Sequence, residues 1–336
     1  MNDTTRSPAT AAQSAPSPRR GLRFWPLIRL VPRSTHFNFV GLAPFAAVLS
    51  ALALIGSGVS LAVQGMNFGV DFAGGTVMEV TTPGPAPLGQ IRARLGDIGV
   101  HDAQVQMFGD PHSARVQFRS VAGRDESSAP GFVAAQLQSS FPGLQVSGQS
   151  TVGAKVSGEL VGKGLLALGT ALVLMLCYIW FRFQLQFGLG AILALFHDIA
   201  LTIGLLSVSR VEVSMTSIAA LLTVIGYSMN EKVISFDRLR ENLRKFKSTP
   251  LRDVINLSEN ERLSRTIITG TTAFLALSGA LIMGGPALFP LVFTMAFGIF
   301  IGTYSSIYVA LPVILLWGVR RGDEAARPIS HQPARP

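Results

Sequence analysis

The chain has 336 residues, of which 49% are hydrophobic and only 14% charged, and its formal net charge is +9. Soluble domains carry about a quarter charged residues, so this composition excludes an ordinary soluble globular protein and points to a membrane. The positive balance does not indicate nucleic-acid binding, because Arg and Lys stand at the ends of apolar runs and form no stripe with interleaved aromatics.

Residues 1–36 read as a basic cytoplasmic leader, partly disordered, since MNDTTRSPATAAQSAPSP has almost nothing to bury and Arg19, Arg20, Arg23, Arg29 and Arg33 follow it. The first apolar run, about residues 39–62 within a unit 37–65, is too long for a signal peptide and no small-x-small cleavage site follows. It is expected to stay as an anchor.

Residues 66–158 read as an outer domain. Thr76–Thr81 alternates as a strand and Pro87–Ile98 places Ile91, Leu95 and Ile98 at helical spacing. Strand-like runs at 103–108 and 114–121, a helix near 132–141 and a strand near 144–148 complete the order strand, helix, strand, strand, helix, strand. That is the order of a small ferredoxin-like α+β unit, although another pairing of the strands fits the same pattern. Ahead of it lies GMNFGVDFAGG, Gly65–Gly75, in which Gly69, Gly74 and Gly75 surround Asp71. Glycines there call for positive φ or close backbone approach, and the segment reads as a junction packing the domain onto the membrane. No GxGxxG opens a helix, so a phosphate cradle is not supported.

Five further runs of membrane-spanning length follow at about 163–181, 188–208, 214–234, 266–285 and 290–317, within a unit 159–317. Lys and Arg gather in the leader, in the 236–264 connection and in the tail 318–336. Six spans then place both termini and that connection in the cytoplasm and the outer domain on the far side. In the connection, Leu239, Leu243 and Phe246 among Arg240, Arg244, Lys245 and Lys247 predict an interfacial amphipathic helix. Thr249-Pro250 then offers the start of another short helix.

The polar residues inside these runs are few. His197 and Asp198 fall mid-span, and an acid there costs about 2.5–3.5 kcal/mol on the insertion scale. Asp198 therefore needs a partner, water or a proton. Asn230, Glu231 and Lys232 close the fourth span, and Arg265 opens the fifth, placed to snorkel. Thr266, Thr269 and Gly270 make one small face, and Gly298-x-x-x-Gly302 with Ser305 and Ser306 makes another, both suited to close helix packing. Cys177, the single cysteine, can form no internal disulfide. No HExxH, GxSxG, Walker lysine or CxxC occurs, so an enzyme, a metal site and a bound cofactor are not expected.

GMNFGVDFAGG, YIWFRFQLQFGLGAILALFHD, IAALLTVIGYSMNEKVISFDRLRENLRK, INLSENERLSRTIITG and GTYSSIYVALP, in this order over residues 20–318, resemble the smaller branch of the SecD/SecF family. The resemblance implies one half of an RND-superfamily transporter, multi-pass in the bacterial inner membrane, with SecD as heterodimeric partner. SecYEG, further Sec-associated subunits, the translocating preprotein and membrane lipid are the other implied contacts. It implies use of the proton gradient to pull preproteins outward; a passive scaffold for SecD, or an independent exporter of small molecules, are the rival readings. Carried onto this sequence, the family's relay residues fall on Asn230, Glu231, Arg265 and Asp198. Lys232 stands where the family has a small hydroxyl residue. Beside Glu231 it either favours the ionised acid or snorkels to the headgroups.

Overall fold

A computed structural model describes residues 35–100, 103–125 and 127–319. The leader before residue 35 and the tail after residue 319 lie outside the described residues. The chain enters through α1 (Phe39–Gln64) and builds an α+β domain of α2 (Val70–Ala73), β1 (Gly75–Thr81), α3 (Leu88–Asp97), β2 (Gln104–Phe108), β3 (Asp110–Phe118), α4 (Ala129–Ser140) and β4 (Gln145–Val152). It returns through α5 (Ala154–Arg182), α6 (Leu185–Ser209), α7 (Met215–Lys245), α8 (Leu251–Met283) and α9 (Gly285–Ser305). A π-helical turn, Ser306–Ala310, leads from α9 into α10 (Leu311–Trp317).

The sheet is antiparallel in the order β2-β3-β1-β4, the ferredoxin-like pairing of the two left open by the sequence. Alternation sends Met78 and Val80 of β1 and Ala114, Val116 and Phe118 of β3 to one face. There they meet Ile91 and Leu95 of α3 and Val133 and Leu137 of α4, all buried in one core. The last strand runs to Val152, beyond the expected 148, and passes almost directly into α5.

Among the described residues, five helices are long and apolar enough to cross a membrane: α1, α5, α6, α8 and the continuous stretch Ala287–Trp317. The long helix α7 runs unbroken, but Asn230–Lys232 end its apolar run and it falls short in apolarity. It contacts α5, α6, α8 and α9, so its polar groups find protein where a peripheral helix would meet lipid. Gly298 and Gly302 of α9 make the closest of these approaches. A Cβ on Gly298 would overlap Val224, and one on Gly302 would stand 3.0 Å from Ser228 Cα, which is why glycine occupies both. Thr269 and Gly270 are only half-buried, with Tyr227 Oη as the nearest atom to a Cβ on Gly270 at 3.7 Å.

The expected interfacial helix after the fourth span is absent as a separate element. Residues 236–245 continue α7, and Leu239 and Leu243 are buried in a core with Val254 and Ile255 of α8. The apolar stripe that read as membrane-facing faces the next helix instead, leaving Phe246 exposed. The short helix after Pro250 is likewise the first part of α8, which runs unbroken for 33 residues.

Candidate functional site

Two buried polar clusters lie inside the bundle, and neighbouring residues of α7 serve one each. Adjacent helical residues point about 100° apart, so Lys232 faces α6 while Glu231 faces α8. Lys232 Nζ stands 2.8 Å from Asp198 Oδ2, both side chains wholly buried. It also donates to Ser228 Oγ and to Ser305 Oγ at 3.0 Å. Asp198 Oδ2 further accepts from Ser228 and from Ser305, the latter at 2.7 Å. Its other oxygen lies 2.9 Å from His197 Nδ1, and His197 Nε2 lies 3.1 Å from Ser50 Oγ on α1. A carboxylate only accepts, so the imidazole donates to Asp198 through Nδ1–H. Ser50 in turn pairs with Tyr304 Oη at 2.9 Å.

The second cluster centres on Arg262 of α8. Its Nε donates to Glu259 Oε2 at 2.6 Å and its Nη1 to Glu231 Oε2 at 3.3 Å. Nη1 also reaches Thr266 Oγ1, and Nη2 reaches Ser306 Oγ, each at 2.9 Å. Ser235 of α7 donates to Glu259 Oε1 at 2.7 Å, and Thr266 donates to Glu231 Oε2 at 3.4 Å. Glu231 and Glu259 are each 1% exposed. Ser305 and Ser306, consecutive at the start of the π-helical turn, touch one cluster apiece, and π-helical turns mark functional positions in helices.

A different face of α8 fixes the bundle. Asn256 and Asn260, one turn apart, bind the start of α1: Val40 N donates to Asn256 Oδ1 at 3.0 Å and Phe37 N to Asn260 Oδ1 at 2.8 Å. Beyond the spans at the same end, Glu241 accepts from Lys245 and Arg238, which together hold its carboxyl below the usual range.

Of the residues expected in a relay, the structure brings only Glu231 and Asp198 into these clusters, and into separate ones. Asn230 is exposed on the outer face of α7. Arg265 is exposed as well, and Arg262, one turn earlier, occupies the place beside Glu231. Lys232 neither snorkels nor pairs with Glu231: its chain folds back along α7 to Asp198. Gly298 and Gly302 pack α9 against α7 within the chain. Glu259 and Arg262 escaped the sequence reading because they sit among exposed charges such as Glu261 and Arg252. Their signal is Ser228, Glu231 and Ser235 at i, i+3 and i+7 on α7, facing Glu259, Arg262 and Thr266 at i, i+3 and i+7 on α8.

At the other end of α7, the junction residues meet its first turn. Asp71 Oδ2 accepts from Met215 N at 3.0 Å. A Cβ on Gly69 would overlap the Glu212 carboxylate, while Gly74 (φ 70°) and Gly75 (φ 114°) hold backbone conformations that suit glycine.

Residues 133–320 match the family described as protein export membrane protein SecD/SecF, C-terminal, and residues 59–82 match the SecD/SecF GG motif. A protein translocase subunit SecF of Rhodobacter capsulatus is 42% identical over 317 residues, covering 90% of this chain and 95% of the relative. One of Magnetococcus marinus is 41% identical over 290 residues, covering 84% and 93%. The crystal structure of SecDF, a translocon-associated membrane protein from Thermus thermophilus, superposes with a TM-score of 0.78 at 30% identity. The similarity covers 86% of this chain and 39% of that one. With its sheet domain, its bundle and both matched motifs, the chain belongs to the SecD/SecF family of protein export membrane proteins.

Proposed function

We propose that this chain is an accessory subunit of the Sec protein-export machinery in the bacterial inner membrane, working with SecD to draw preproteins from SecYEG at the expense of the proton gradient. The observation that carries the reading is the charge count of the two clusters. Asp198 and Lys232 balance, whereas Glu231 and Glu259 bring two negative charges to the single Arg262. An unbalanced charge in a low-dielectric interior is costly, and one proton removes it. The Glu231–Arg262–Glu259 cluster is thus the site that loads and unloads, and the Asp198–Lys232 pair holds α6 and α7 in register.

Two features support the partner and the orientation. Thr216, Ala219, Thr223, Gly226 and Asn230 form an exposed stripe of small and polar residues along α7, a face suited to a helix of SecD more than to lipid. The spanning part of α8, with Arg265 at its start, has almost no fully buried residue. Arg182, Arg238 and Lys245 lie at the end of the bundle opposite the sheet domain, which by the positive-inside rule supports a cytoplasmic location for that end and a periplasmic one for the sheet domain.

The test is Glu231→Gln assembled with SecD in vesicles carrying SecYEG. The variant is expected to co-purify with SecD and to lose the gradient-dependent part of export. Retained gradient dependence would favour a passive scaffold. A sodium gradient imposed at constant pH separates the two coupling ions: export that follows it would make sodium the ion and overturn the proton.

A further inference from the structure

The two charge clusters and the sheet domain sit at opposite ends of α7, and α7 has no direct chain connection to that domain. Met215 and Glu231 are 16 residues apart, about 24 Å along a helix. Movement of α7 at the clusters reaches the domain through contacts at the outer end of α7, and those contacts are made to the junction segment and to β3. Asp71 accepts the Met215 amide at 3.0 Å, satisfying one of the orphan donors of the first turn. Phe68 and Val213 form an isolated parallel bridge, with Gly69 N donating to Val213 O at 2.9 Å and Val213 N to Asn67 O at 2.8 Å. Glu212 pairs with Arg115 Nη1 at 3.1 Å, and the same guanidinium holds Glu79 of β1 at 3.0 Å. The segment then leads through Gly74 straight into β1, an inner strand paired with both β3 and β4.

We propose that Asp71 and the Arg115–Glu212 pair are the joint through which α7 moves the sheet domain; the proposal rests on the reading of Glu231 as a loading site. The joint has three strands of contact: a helix cap, a backbone bridge and an ion pair from the loop before α7 to β3 and β1. Helix α5 follows β4 directly in the chain, but it carries no member of either charge cluster. α7 carries members of both. The Glu212 carboxylate occupies the space a side chain on Gly69 would take, so the pair lies directly against the junction strap.

The test uses the complex with SecD in lipid vesicles, with Cys177→Ser and spin labels on Ser127→Cys in the sheet domain and Val208→Cys at the outer end of α6, both exposed positions. Glu231→Gln, which fixes the loaded charge, is expected to shift the label-to-label distance distribution. Asp71→Ala combined with Arg115→Gln is expected to abolish that shift while the bundle melts at an unchanged temperature. A shift that survives the joint substitutions overturns the proposal. In Glu231→Gln, an unchanged distribution with the gradient dependence of export lost overturns the joint alone; an unchanged distribution with the gradient dependence retained overturns the loading site and the joint with it.

Discussion

Lys232 and Asp198 form a wholly buried ion pair across α6 and α7, 2.8 Å apart, while Glu231, the residue next to Lys232, is held by Arg262 on α8. One helix thus ties two neighbours with two adjacent charges, and the two ties differ in charge balance.

Removing one member of the balanced pair leaves the other buried and alone. Lys232→Met is expected to destabilise the protein by about 3–5 kcal/mol, the cost of breaking a buried pair. Adding Asp198→Asn, which removes the stranded charge, is expected to recover most of the loss. Thermal unfolding in detergent of the two single variants and the double variant measures the coupling. Additive losses would show that the pair does not interact in the folded protein.

Arg262 and Arg265 are one turn apart and are expected to behave differently. Arg262→Ala leaves Glu231 and Glu259 without their shared cation and is expected to cost about 3–5 kcal/mol. Arg265→Ala removes an exposed group and is expected to stay within about 0.5 kcal/mol in the isolated chain. The same unfolding measurement decides between them.

Much of this was legible in the sequence, and the parts that were not share a cause. Period-two and period-3.6 patterns located the strands and helices of the outer domain because each has one face in a core and one in solvent. The bundle is harder, since apolarity in a membrane does not distinguish lipid-facing from protein-facing residues. Leu239 and Leu243 therefore suggested an interfacial helix although they pack on α8. Adjacency misled at Lys232 for the same reason: a sequence shows neighbours along the chain, whereas the neighbour that matters is the residue across the helix interface. Arg265 rested on resemblance alone, and its side chain lies outside both clusters.

The seam of Gly298 and Gly302 predicts a folding defect in the chain itself. Gly298→Ala places a methyl group in the space of Val224 and is expected to cost about 1–3 kcal/mol, as overpacking does. Unfolding temperature is expected to fall while the fraction of folded protein bound to SecD is unchanged. A variant of normal stability that fails to bind SecD would place the seam at the partner interface instead.

On the proposed function, the unbalanced cluster carries the coupling charge and the balanced one does not. The measurement that tests it is the gradient dependence of preprotein release, compared between Glu259→Gln and the double variant Asp198→Asn with Lys232→Met, each assembled with SecD. Glu259→Gln leaves one acid and one cation in the cluster and is expected to abolish the response to the gradient. The double variant removes a neutral pair and is expected to keep it. A response that survives in Glu259→Gln and vanishes in the double variant would contradict the account.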